Sequence, residues 1–287
     1  MRTKKQMMDL ILGYAARDER VRAVAMNGSR LNPRIAPDRF QDYDVVYLVR
    51  ELDSFLKDPA WVDYFGPRII LQTPEDGRLF PPELGGWYSY LMLFTDENRI
   101  DLTLIPIADL ERYCADDTLT KVLLDKDGLF PVLPAPSDEK HHIKKPTADQ
   151  FAACCNEFWW VSTYVAKGLC REKILYAIHH LNACVREELL RMLSWQVGIQ
   201  TGFSLSAGKC YQDLPNYLDA STNDLLLAAS RQNGYAACWE ALFNLCGLFC
   251  EASHFVAGQL GFPLPPEEGP VAQYLKRLCI AHPPSDF

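Results

Sequence analysis

The spacing of apolar residues divides the chain into two halves with different periods. In the first half, short apolar runs alternate with helical stretches. Residues 3 to 17 read as an amphipathic helix, and Val21 to Met26 as a short strand that runs into Asn27-Gly28-Ser29. Tyr43 to Val49 (YDVVYLV) is rich in residue types that suit a pleated, half-buried surface. Asp53 to Tyr64 is expected to be a helix opening at an Asp cap. Ile69 to Gln72, Tyr90 to Phe94 and Arg99 to Ile105 are further expected strands. The Pro-, Gly- and acid-rich stretch Pro74 to Gly86 is expected to be a loop.

Residues 131 to 147 break this pattern with Pro131, Pro134, Pro136 and Pro146 and the run His141-His142-Ile143-Lys144-Lys145, which marks a linker or domain edge. Adjacent His residues on a polar linker ordinarily lie in solvent, so no metal is expected there. Beyond it the period is helical. Phe151, Cys155, Phe158, Ser162, Val165 and Leu169 form one apolar series. Ile174, Ile178, Leu181, Val185, Leu189 and Met192 form a second, and Trp239, Leu242, Cys246, Phe249 and Val256 a third. Residues 270 to 281 add a short last helix. The expected fold is therefore α/β (α+β): an N-terminal mixed sheet with helices over residues 1–145, then a C-terminal helix bundle over 146–287. The active site is expected in the cleft between them, since ligand pockets favour such places.

Composition narrows the partners. With 287 residues, two domains are the better expectation, and 48% hydrophobic residues suffice for their cores. The formal net charge of −8 gives no general attraction for a phosphate backbone, so nucleic acid is excluded as the main partner. Acidity favours a cationic small molecule, although it also simply aids solubility. The 10 Cys show no zinc spacing, and Cys154, Cys155, Cys184, Cys246 and Cys250 sit inside apolar helical patterns, where free Cys behaves as a small hydrophobe. Met1 to Leu12 mixes Arg2, Lys4, Lys5 and Asp9 with apolar residues, unlike a signal peptide. No apolar run is expected to reach the roughly 20 residues that cross a bilayer. The expectation is a cytoplasmic protein, without membrane contact and monomeric.

The chemistry concentrates in Asn27-Gly28-Ser29-Arg30, Asp42-Tyr43-Asp44 and Asp101. Gly28 lets backbone approach a ligand closely, Ser29 adds a hydroxyl, and the turn can offer N–H groups to phosphate oxygens. Asp42 and Asp44 lie two apart at the head of a strand, so both carboxylates share one face while Tyr43 and Val45 turn toward the core. Paired carboxylates on a rigid face suit Mg²⁺, a hard cation that carries substrate phosphates. Asp101 lies among apolar Ile100, Leu102 and Leu104, where an adjacent strand would bring it to the same cluster. A D-x-D pair or a Gly-Ser dipeptide alone is common. Their joint order on strand, turn, strand and later strand is what points to chemistry.

This arrangement resembles the nucleotidyltransferase superfamily signature. Residues 25–30 (AMNGSR), 40–44 (FQDYD), 98–104 (NRIDLTL) and 156–169 (NEFWWVSTYVAKGL) further resemble the aminoglycoside 6-adenylyltransferases, streptomycin-modifying resistance enzymes, over almost the whole chain. The resemblance implies transfer of AMP from MgATP to a hydroxyl of streptomycin, with release of pyrophosphate. Asp42 and Asp44 would hold the metal. Asp101 would be the general base or a further metal ligand. Gly28, Ser29 and Arg30 would meet the triphosphate. Two rivals stay open: a nucleotidyltransferase with another small-molecule or protein acceptor, and a non-catalytic nucleotide-binding module. The intact acid set argues against the second.

In the helical half, Glu157, Trp160, Tyr164, Lys167 and Arg171 step by 3 and 4, one stripe away from the apolar series, with Gln150 ahead of them. Glu157 is suited to a guanidinium group, Trp160 and Tyr164 to stacking on a cation or a base, and Lys167 to phosphate. The alternative is a solvated face with Trp160 packed on the other domain. Glu187 and Glu188 are further acidic candidates that also read as plain exposure. Lys209, after Gly208, is a point charge for the triphosphate, a role the resemblance supports.

Overall fold

A six-stranded mixed sheet organises the N-terminal unit, Met1–Lys140, in the computed structural model; a second unit begins at His141, and residues 1–283 are described. Residues 284–287 of the expected second domain lie outside the described residues. The strands are β1 (Val21–Asn27), β2 (Tyr43–Val49), β3 (Arg68–Gln72), β4 (Tyr88–Phe94), β5 (Arg99–Pro106) and β6 (Thr120–Asp125), in the spatial order β3-β4-β5-β2-β1-β6. Only the central β2/β5 pair is parallel. The sheet and its helices have the expected mixed α/β character.

Helix α1 (Lys4–Arg17) starts at a capping box in which Thr3 and Gln6 satisfy each other's backbone N–H groups. Its Met7, Ile11 and Ala15 are fully buried and pack with Tyr43, Val45, Tyr47, Ile100 and Leu102 on one face of the sheet. Each large side chain buried here contributes about 1.5–3 kcal/mol. On the opposite face Ala23, Ala25, Val46, Leu48 and Ile105 are covered by Trp87 and by Tyr113 of a short helix.

Three local features differ from the sequence reading. The expected helix from Asp53 to Tyr64 is cut to α2 (Asp53–Leu56), followed by a 3₁₀ segment over Pro59–Phe65. Pro59 has no N–H and pushes Asp58 out of helical conformation, to φ −134° and ψ 88°. Asp53 is the first residue of α2, with Leu52 in the cap position. Helix α3 (Leu110–Asp116) and strand β6 were not expected at all, since Tyr113 is the one buried residue of α3 and β6 is a half-exposed edge. Long-range pairing with β1 holds β6 in place.

The second unit is helical: α4 (Ala148–Cys170), α5 (Ile174–His180), α6 (Arg186–Gln200), α7 (Ala220–Ala228), α8 (Tyr235–Leu260) and α9 (Glu268–Ala281). A second capping box, Thr147 with Gln150, opens α4. The series from Ile174 to Met192 is interrupted by a π-helical turn over Leu181–Val185. Phe158 of α4 and Phe249 of α8 stack with centroids 3.7 Å apart at the core. Against expectation, α8 is long and apolar enough by composition to cross a bilayer. Its buried Trp239, Leu242, Leu245, Phe249 and Val256 make it the core helix of this unit. All 10 cysteines are free thiols.

Candidate active site

Sheet register assembles the site in the first unit. Asn27 at the end of β1 pairs with Asp44 of β2, and Asp44 lies directly opposite Asp101 on the parallel neighbour β5. Alternation places Asp44, Val46 and Leu48 on one face of β2, with Asp42 just ahead of its first residue, and Arg99, Asp101, Thr103 and Ile105 on the matching face of β5. The far end of that face is apolar and covered; the near end carries the acids and is half-exposed.

The turn after β1 is anchored from below. The Asn27 side chain donates to Thr120 Oγ1 (2.7 Å) and accepts from the Tyr113 hydroxyl (2.7 Å). Gly28 then takes φ +78°, the left-handed region in which glycine carries no Cβ penalty. A Cβ there would lie 2.1 Å from Asp44 Oδ2, so the glycine brings backbone directly against this carboxylate. Ser29 opens a 3₁₀ turn, Ser29–Leu31. Arg30, expected at the triphosphate, donates to the carbonyls of Asp42 (2.8 Å) and Gln41 (2.6 Å) and stacks 3.7 Å over the Tyr43 ring. It braces the approach to Asp42.

The acids repel one another. Burial, then the charges of Asp101 and Asp42, push the Asp44 carboxyl up to about 6. Burial is also the main cause that raises Asp42. Arg99 offsets part of this charge: its Nε and Nη2 donate to the two oxygens of Asp101, each at 2.7 Å, and its Nη1 lies 3.5 Å from Asp42 Oδ2. Among the described residues, no three His, Cys, Asp or Glu side chains are grouped to hold one metal ion. Register brings Asp42, Asp44 and Asp101 together as expected from alternation, and both oxygens of Asp101, expected as base or further metal ligand, are engaged by the Arg99 guanidinium. Hard oxygen donors with a raised pKa, on a face where a cation would relieve their repulsion, still fit a divalent ion at Asp42 and Asp44.

In the second unit the α4 stripe is solvent-facing, as its spacing predicts, but it serves two depressions. Glu157 and Gln150 line an open pocket of about 1080 Å³ together with Glu187, Glu188, Arg191 and Tyr211. Glu187 and Glu188 are half-buried there and not simply solvated. Glu187 accepts from the Tyr211 hydroxyl (2.9 Å), and Glu188 pairs with Arg191 (2.9 Å). The loop that brings Tyr211 in is strained at Cys210 and Tyr211, with φ of 53° and 60°, beside Gly208, which takes φ 73° without strain. Strain of this kind persists only where surrounding structure imposes it and clusters at functional sites. Lys209, exposed, sits between two pocket-lining residues of this loop. Tyr164 and Lys167 line a different depression of about 700 Å³, with Arg171, Lys173 and Tyr176. Trp160 is 59% exposed and donates its indole N–H to the Tyr164 hydroxyl (2.7 Å).

Sequence reasoning missed four contributors: Arg99, Tyr113, Thr120 and Tyr211. Arg99 was legible by the same alternation that pairs Asp42 with Asp44. Tyr113 and Thr120 were not, because their elements were unexpected. Tyr211 reaches Glu187 only through the strained loop.

The chain is similar to known proteins along nearly its whole length. A family model described as streptomycin adenylyltransferase matches residues 1–278. Three curated proteins named aminoglycoside 6-adenylyltransferase are related to it. That of Bacillus subtilis (strain 168) is 47% identical over 275 residues, covering 96% of this chain and 97% of its own. That of Campylobacter jejuni is 45% identical over 277 residues, covering 96% of each chain. That of Staphylococcus aureus is 42% identical over 266 residues, covering 92% and 94%.

Proposed function

Because the chain belongs to the streptomycin adenylyltransferase family and is a nucleotidyltransferase, we propose that it transfers AMP from MgATP to a hydroxyl of an aminoglycoside, streptomycin, and so confers resistance to it. The observation that carries this reading is the register of the acids: Asp44 opposite Asp101, two residues from Asp42, and in contact range of the Gly28 turn.

In this reading Asp42 and Asp44 hold Mg²⁺, which when bound neutralises charge on the triphosphate. Gly28 and Ser29 shape the backbone that faces the phosphates, and Arg30 keeps Asp42 in place through its carbonyl. The acceptor oxygen attacks the α-phosphorus, the bond to the bridging oxygen of the β-phosphate breaks, and pyrophosphate leaves. Asp101 accepts the hydroxyl proton. Positioning and charge complementarity supply most of the rate in such displacements.

The larger pocket of the second unit mixes Glu157, Glu187 and Glu188 with Lys144, Arg186 and Arg191, and its carboxylates suit the cationic groups of an aminoglycoside acceptor. Glu157 has no ion-pair partner among the described residues and is the carboxylate best placed to meet a guanidinium. Trp160 and Tyr164 offer aromatic faces to a substrate, and Lys167 with Arg171 and Lys173 makes the smaller depression suited to an anionic group. The free thiols suit a reducing cytoplasm.

The test is pyrophosphate release from MgATP across a panel of streptomycin, other aminoglycosides and uncharged polyols. Streptomycin-dependent release is expected. Release that no aminoglycoside stimulates contradicts the proposal.

A further inference from the structure

We infer that Arg99 is a positioning residue that withholds Asp101 from the divalent ion, so that Asp42 and Asp44 are the protein's metal ligands and Asp101 is kept for the acceptor's proton. The inference rests on the function proposed above and divides labour among its three acids.

Arg99 and Asp101 are i and i+2 on β5, so their side chains rise from the same face. The guanidinium meets the carboxylate in two parallel bonds of 2.7 Å, the fork geometry that gives Arg its selectivity for carboxylates. Both Asp101 oxygens therefore have a donor already. Asp42 meets the same guanidinium only at 3.5 Å and through one oxygen, and no ion pair or side-chain hydrogen bond reaches Asp44 from Arg99. The three acids thus differ in availability although register places them together. A metal taking Asp101 would have to displace a bidentate guanidinium; one taking Asp42 and Asp44 would not. Each carboxylate oxygen keeps a second lone pair, so what the Arg99 fork opposes is a second cation, through its charge, and not the neutral hydroxyl of an acceptor.

The partition is read by metal binding, independently of turnover. Mn²⁺ is titrated into the full chain with the α,β-methylene analogue of ATP, and free Mn²⁺ is followed by electron paramagnetic resonance. Asp42→Asn is expected to weaken Mn²⁺ binding by about tenfold or more, the loss typical of a disturbed metal site, whereas Asp101→Asn stays within about twofold of the parent. Arg99→Ala frees Asp101 and is expected to bind Mn²⁺ about two- to fivefold tighter, the size a half-exposed ion pair can impose. Arg99→Lys, which covers a single oxygen, falls between. With MgATP and streptomycin, Arg99→Ala is expected to lower kcat about tenfold or more at nearly unchanged KM for ATP, with partial recovery in Arg99→Lys.

Asp101→Asn losing Mn²⁺ as strongly as Asp42→Asn, in a variant that melts like the parent, makes Asp101 a metal ligand and overturns the inference while the proposed function stands. Arg99→Ala and Arg99→Lys both binding Mn²⁺ no tighter than the parent overturns it as well. A parent protein that binds no Mn²⁺ with the analogue removes the proposed function, and the inference with it.

Discussion

A methyl group on Gly28 would lie 2.1 Å from Oδ2 of Asp44. The turn and the carboxylate therefore share one volume, and the left-handed φ of +78° makes any side chain there strained as well. Gly28→Ala is expected to cost about 1–3 kcal/mol of stability and to cut kcat/KM by about 100-fold or more, because Asp44 must move for the chain to fold. Equilibrium denaturation and steady-state kinetics on the same preparation check both numbers. Wild-type kinetics in Gly28→Ala would show that the close approach has no role.

The raised pKa of the Asp44 carboxyl makes stability depend on pH. Its folded-state value of about 6 lies above the model-compound 3.8, so its contribution to stability is fully present below pH 4 and lost as pH rises through 6. Without metal, Asp44→Asn is expected to be more stable than the parent by about 1–3 kcal/mol above pH 7, with the gap closing toward pH 4. MgATP is expected to stabilise the parent and leave Asp44→Asn unmoved. Parallel stability curves from pH 4 to pH 8 would contradict this.

The acids were legible in the sequence because strand alternation is a strict rule. Asp44 lies on β2, whose bounds match the expected Tyr43 to Val49, with Asp42 just ahead of its first residue, and Asp101 falls on the neighbouring strand. The same rule applied at Arg99 would have found the guanidinium. The capping box at Thr147 was equally visible in the sequence, as was Pro59, which breaks the helix expected over Asp53 to Tyr64. What could not be read depends on distant partners. Strand β6 exists because β1 offers it an edge, and α3 contributes one buried ring, Tyr113, to a face built by other strands. The placement of Tyr211 against Glu187 depends on a strained loop, which periodicity does not report.

Tyr113 gives a test of how the turn is supported. Its hydroxyl donates to Asn27 Oδ1, and Asn27 directly precedes Gly28. Tyr113→Phe keeps the buried ring and removes one hydrogen bond. A loss of about 0.5–1.5 kcal/mol is expected, with kcat falling while the acceptor's KM holds. Unchanged kcat would confine Tyr113 to the core.

Recognition of a cation by the second unit is testable at Glu157 and Glu187. Glu157→Gln and Glu187→Gln are each expected to raise KM for streptomycin about tenfold, with KM for ATP unchanged and the difference shrinking at high salt. A shift in KM for ATP instead would move the pocket from acceptor to nucleotide.

The Asp42/Asp44/Asp101 face is expected to transfer an adenylyl group, and the product reports this directly. Purified protein, ATP, Mg²⁺ and streptomycin are incubated, and the antibiotic is weighed by mass spectrometry, with Asp42→Asn in parallel. Streptomycin carrying one AMP is expected with the parent and only when Mg²⁺ is present, and unmodified streptomycin with Asp42→Asn. Unmodified antibiotic from the folded parent, or full modification by Asp42→Asn, would contradict the account.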